Sequence, residues 1–107
     1  MLKDLIIKNG GATINKKGAM VTLKSGYQVS KKDILKIAVD KFNEQIINNI
    51  IHNNLKRGEY AGFWVEDGYV YADISERIST KHEALAIGKQ RKQISILNWR
   101  NMGIVYC

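Results

Sequence analysis

The chain has 107 residues, is 45% hydrophobic and lacks proline; 17 Lys and Arg stand against 10 Asp and Glu, for a net charge of +7 and a pI near 9.6. That length suits a single α+β-sized domain around one core, and no run approaches the roughly 18 apolar residues of a membrane span, so no membrane partner is expected. Cys107 is the only cysteine, which excludes an intramolecular disulfide and fits a reducing, cytoplasmic setting.

The opening "MLKDLIIKNGG" holds an apolar run too short for a signal sequence, and Asp4 interrupts it. "ATIN" and "AMVTLKS" flank the glycine turn "KKG" and predict an N-terminal hairpin. After Gly26, "YQVS" reads as a short extended piece. "SKKD" (Ser30 to Asp33) has the form of a helix capping box, yet the following "ILKIAVD" suits a strand as well, so the first helix starts near residue 31 or near 41.

The stronger helix signal follows Asp40 as N-cap and runs to about Lys56, with Gly58 as its stop. Its apolar residues Phe42, Ile46, Ile47, Ile50, Ile51 and Leu55 spread over more than half of the circumference at about 100° per residue. A helix covering one sheet needs a narrower stripe. Two covers are open: a homodimer built on Ile47, Ile51 and Leu55, or the N-terminal hairpin folded over the same strip.

"GFWVEDGYVYADI" (Gly62 to Ile74) centres on Asp67-Gly68, a two-residue hairpin turn in which both positions take φ > 0. The turn predicts the pairs Glu66–Tyr69, Val65–Val70, Trp64–Tyr71 and Phe63–Ala72. Alternation then puts Phe63, Val65, Val70, Ala72 and Ile74 on a core face, with Trp64, Glu66, Tyr69, Tyr71 and Asp73 opposite. Thr80 and Glu83 cap a shorter helix carrying Ala84, Leu85, Ile87 and Gly88. "QISIL", "NWRNMG" and "IVYC" close the chain as a hairpin. The resulting fold class is α+β: one domain, residues 1–107, with an antiparallel sheet built from hairpins and two helices packed mainly on one face.

Chemistry is harder to find. His52, His82 and Cys107 lie on separate elements without metal-ligand spacing. Ser79 and Thr80 are accounted for as caps, Asp73 and Glu76 read as surface charges, and "NGG" and "KKG" lack the lysine and helix of a phosphate loop. A binding protein with no cofactor or metal is therefore expected, not an enzyme. The charge is uneven: residues 1–59 hold 11 basic and 5 acidic side chains, residues 60–107 hold 6 and 5. Lys16, Lys17, Lys24, Lys31 and Lys32, joined by Arg91 and Lys92, are the expected anion-facing surface. Trp64, Tyr69 and Tyr71 form an aromatic platform for bases, a protein-contact patch, or only the structural pairing of an ordinary cross-strand couple, Trp64 with Tyr71.

The second half resembles small uncharacterised proteins carried by phages and conjugative elements of Gram-positive bacteria. The shared features are G-x-W-V-x-D/N-G-x-x-Y-x-D (Gly62 to Asp73), the Ala- and Gly-containing helix (Ala84 to Gly88) and Q-x-S/A-I (Gln93 to Ile96). "GGATIN" and "SGYQVSKKD" are similar to parts of the same proteins. The resemblance transfers no catalytic residue. It implies a setting of accessory genes, among which anti-CRISPR inhibitors are common; many of these are acidic DNA mimics, whereas this chain is basic. The expected partner is thus a host defence protein or ribonucleoprotein complex such as a CRISPR-Cas effector. The alternative is a basic protein of the element that binds DNA or RNA directly.

Overall fold

The computed structural model describes residues 1–107. The elements run α1 (Leu2–Asn9), β1 (Gly11–Ile14), β2 (Tyr27–Ala38), α2 (Glu44–Asn49), β3 (Glu59–Glu66), β4 (Tyr69–Ile78), α3 (Lys81–Gln90), β5 (Ser95–Asn98) and β6 (Gly103–Tyr106). The strands form one antiparallel sheet in the order β1-β3-β4-β2-β5-β6.

Asp67 (φ 52) and Gly68 (φ 80) make the expected turn, and the four expected β3–β4 pairs are those observed. Phe63, Val70, Ala72 and Ile74 are buried, with Val65 half-buried against them. Thr80 Oγ1 accepts the Glu83 N–H at 3.4 Å and starts α3 as read from the sequence. The α+β class, the antiparallel sheet and the final hairpin stand as expected.

Three elements differ from expectation. The segment Leu2–Asn9 is a helix, α1, whose Ile6 is fully buried against β1, β3 and α2. The helix after Asp40 begins later: Asp40 lies in a single 3₁₀ turn, and Asn43 is the N-cap, its Oδ1 accepting the Ile46 N–H at 3.0 Å. And α2 passes into a π-helical segment, Ile50–Asn54. A π turn advances by less than 100° per residue, so it draws toward one side the apolar residues that a uniform α projection spreads apart.

The dimer strip is corrected by the same packing. Ile47, Ile51 and Leu55 are 0%, 2% and 4% exposed, inside a core with Ile6, Ile14 and Phe42. They cannot form an interface, because α1 and β1 of their own chain already cover them. The N-terminal hairpin is itself reduced: β1 pairs with β3, and only an isolated bridge, Ile14 to Met20, links it to the returning chain.

β2 is one long strand with register shifts between Ser30 and Lys32 and between Asp33 and Leu35. Each bulge reverses the alternation. Ser30, Asp33 and Lys36 therefore share a face, three residues apart rather than two, while Leu35 and Ile37 join the core.

All three helices cover the same sheet face in two separate apolar clusters. The larger surrounds α1 and α2; the smaller joins Val29, Ala84 and Ile96 beneath α3. Between them lies a charged group. Lys31, on the first bulge, reaches Glu59 at 2.7 Å and Glu76 at 3.5 Å, and Arg91 meets Glu76 at 2.9 Å. Glu59 also accepts the Lys56 N–H at 2.7 Å. Its hydrogen bond to Lys31 holds its carboxyl below the usual range and raises Lys31 in turn.

Two outcomes follow from this packing. Ile51→Ala should cost about 3 kcal/mol in urea unfolding, as a buried truncation does, and Ile51→Lys should prevent folding instead of exposing a folded monomer, read by circular dichroism. Glu59→Ala should cost about 2 kcal/mol near neutral pH, since the Lys56 N–H loses its acceptor and Lys31 keeps only the more distant Glu76. The depressed Glu59 carboxyl contributes stability above its unfolded pKa, lost as pH falls through the folded one, so the penalty should shrink in acid.

Candidate binding face

With every helix on one side, the other side of the sheet has no helical cover. Its side chains are ordered by register into rows running across β3, β4 and β2. Trp64, Tyr71 and Lys36 form one row, with Gly11 beside Trp64. Gly62, Asp73 and Asp33 form the next, with Thr13 beside Gly62, and Tyr60, Ser75 and Ser30 follow.

The aromatic row is a stack. The Trp64 and Tyr71 rings lie 5.4 Å apart at 8°, and Lys36 Nζ sits 4.7 Å from the Tyr69 ring centre and 5.6 Å from that of Tyr71. Trp64 and Tyr69 remain 36% and 41% exposed. Offset stacking and a cation over an aromatic face hold these rings in place before any partner arrives.

Below the stack the face deepens into a cleft of about 680 Å³. Trp64, Thr13 and Gly62 line it on one side, Leu97, Ile94 and Ile104 on the other, and Ser30, Asp33, Asp73 and Ser75 lie between. The second wall is held by a buried hydrogen-bonded chain. Trp99 Nε1 donates to Gln28 Oε1 at 2.8 Å, and Gln28 Nε2 donates to Ser75 Oγ at 2.8 Å. This chain satisfies the buried amide and anchors the β5–β6 turn to the centre of the sheet.

Asp73 is the most perturbed group of the face. Burial pushes its carboxyl up to about 6. Ser30 opposes that shift, Asp33 directly opposite adds to it, and the Gly62 backbone N–H again opposes it. Ser30 Oγ lies near enough to favour the charged carboxylate, but its geometry falls short of a formed hydrogen bond; it is a fully buried hydroxyl without a partner. Gly62 leaves room here: a Cβ at that position would meet Asp73 Oδ1 and make the carboxylate shift. The reading of Asp73 as a surface charge is therefore corrected, because β3 and its glycine enclose it. Glu76 is tied to Arg91 and Lys31 and is not free either.

The expected cationic surface is not assembled as one patch. Lys16 Nζ donates to the Ile51 and His52 carbonyls at 3.0 and 3.3 Å, capping the end of the π segment. Lys31 and Arg91 are brought together, but by carboxylates on the helix-covered side, and Arg91 also donates to the Ser30 carbonyl. Lys17, Lys24 and Lys32 are exposed on separate segments without ion pairs, and Lys92 stands exposed at the cleft. Trp64, Tyr69 and Tyr71 do converge. Lys36, Asp33 and Ser30 join them without having been expected to, since their common face depends on the two bulges. No group of three His, Cys, Asp or Glu side chains comes together in a metal-holding arrangement, and no helix is long and apolar enough to cross a membrane.

Comparison with protein-family models, curated proteins and solved structures finds no match to this chain.

Holding Asp73 ionised in this setting opposes folding. Its folded pKa of about 6 exceeds the unfolded 3.8, so the native state keeps a proton that the unfolded chain releases. Stability should fall as pH rises from about 4 to about 6, by about 3 kcal/mol in all. Asp73→Asn should recover much of that at neutral pH and little near pH 4, read as the difference between denaturant midpoints at the two pH values.

Proposed function

We propose that the protein acts by binding a protein partner through the open sheet face, with Trp64 and Tyr71 as the central contact. The observation that carries this reading is the stacked pair, pre-ordered by Lys36 and Tyr69, on the sheet side that carries no helix. Around it stand exposed apolar side chains: Ile94 and Ile104, with Tyr106 beyond. Aromatic anchors ringed by apolar residues mark protein contacts more than phosphate-tracking grooves. The two carboxylates in the cleft, and the engagement of Lys16, Lys31 and Arg91 within the chain, speak against a nucleic-acid backbone on this face.

In the setting implied by the sequence resemblance, the partner is a host defence complex, and the protein is an accessory inhibitor of a mobile element acting on a CRISPR-Cas effector. Direct binding of DNA or RNA is the competing account.

Nuclease-treated extract of a CRISPR-bearing Gram-positive host, passed over the immobilised protein, should yield an effector protein that Trp64→Ala releases. The variant should weaken binding of the purified effector by about 2 kcal/mol, as loss of an aromatic anchor does, while unfolding stability falls by about 1 kcal/mol, the scale of one cross-strand pair. Saturable binding of a single-stranded oligonucleotide at about 0.15 M salt, with steep salt dependence and no nuclease-resistant protein captured, would replace this reading with the nucleic-acid one.

A further inference from the structure

The cleft beneath the aromatic stack has a chemistry unlike the rest of the surface. In a chain of net charge +7, it sets two carboxylates, Asp73 and Asp33, directly across from each other on β4 and β2. Like charges so placed repel, and the arrangement persists only where the surrounding structure holds it. That structure is visible: the bulges of β2 turn Asp33 to this face, and Gly62 leaves room for the Asp73 carboxylate. Ser30 Oγ adds a buried, unpartnered hydroxyl at the same place.

We propose that the cleft is a guanidinium site that receives an arginine side chain of the protein partner, the guanidinium lying between Asp73 and Asp33 with its plane against Trp64. This rests on the protein-binding reading above and names the partner's anchor. Two carboxylates and a hydroxyl are too few for a cage of hard metal ion ligands, whereas a guanidinium carries five donors in a plane that suits carboxylates at its edge and an aromatic ring on its face. A volume of about 680 Å³ exceeds a guanidinium alone and accommodates a side chain with its neighbours. Ile94 and Ile104, 81% and 56% exposed at the cleft, would stay in water around a small free guanidine but are covered by residues flanking an arginine in a chain. Lys92, the remaining charged side chain at the cleft, is exposed, where solvent and salt screen it.

The test uses the full chain and three probes: acetyl-Leu-Arg-Leu-amide, the same peptide with neutral citrulline for arginine, and agmatine. Titration followed by Trp emission and by the amide resonances of Gly62 and Ser30 should give saturable binding of the arginine peptide, with the citrulline peptide and agmatine each weaker by about tenfold or more. Asp73→Asn and, independently, the exposed Asp33→Asn should each weaken the arginine peptide by about tenfold and leave the citrulline peptide unchanged. Because the cation favours the ionised carboxylate of Asp73, with Asp33 and Lys92 the other titratable groups facing it, binding should be tighter at about pH 7 than at about pH 5. Equal binding of the arginine and citrulline peptides, or binding of neither, would overturn the site; agmatine matching the peptide would overturn its assignment to a partner's side chain. Loss of the site with partner capture still dependent on Trp64 would leave the protein-binding reading intact, so the two fail separately.

Discussion

The positive φ angles at Asp67 and Gly68 are the constraint on which both faces of the sheet depend. A two-residue turn leaves no freedom in pairing, so Phe63 and Ala72 go to the core in the same stroke that stacks Trp64 on Tyr71. A slip of β3 by one residue would bring Trp64 beneath the helices and put Phe63 in water, while Tyr71 and Asp73 stayed on the open face without their partners. β1 and β2 then add to the two edges of this hairpin and extend its rows. The apolar core and the open face are two consequences of one register.

The two faces treat charge in opposite ways. On the helix-covered side, Glu59 and Glu76 are neutralised by Lys31 and Arg91 and contribute to the native state. On the open side, Asp73 and Asp33 confront each other without a cation, and burial raises the Asp73 carboxyl to about 6. Structural carboxylates are usually arranged as the first pair is. A costly, enclosed carboxylate beside an unpartnered hydroxyl is the arrangement associated with functional sites, where local rules are broken and other interactions compensate.

Parts of this were legible in the sequence for identifiable reasons. The β3–β4 register follows from one dipeptide and strict alternation, both local signals. The N-cap at Thr80 is equally local. β2 was ambiguous because its two bulges give the polar side chains Ser30, Asp33 and Lys36 a spacing of three, close to a helical period, so that a strand imitates the start of a helix. The wide arc of the helix after Asn43 suggested an outside partner because a constant angle per residue ignores the π segment. Leu2–Asn9 was missed as the cover because eight residues make a weak periodic signal, and Ile6 gains its meaning only from tertiary contacts. Asp73 looked like a surface charge because the glycine that lets β3 enclose it is eleven residues away and carries no side chain to announce the contact.

The smaller apolar cluster has a mechanical consequence. α3, β5 and β6 join the rest of the sheet through a two-pair ladder at Tyr27 and Gln28, the Trp99–Gln28 hydrogen bond, the Arg91 contacts and α3 packing on β2 and β4. Their side-chain packing is separate from the larger core, so this C-terminal quarter is the natural unit of sub-global opening. It also supplies one wall of the cleft, through Ile94, Leu97 and Ile104. A ligand spanning both walls therefore acts as a clasp: its binding energy adds directly to the free energy needed to detach the unit, and occupancy of the cleft becomes measurable as slowed amide exchange in β5 and β6.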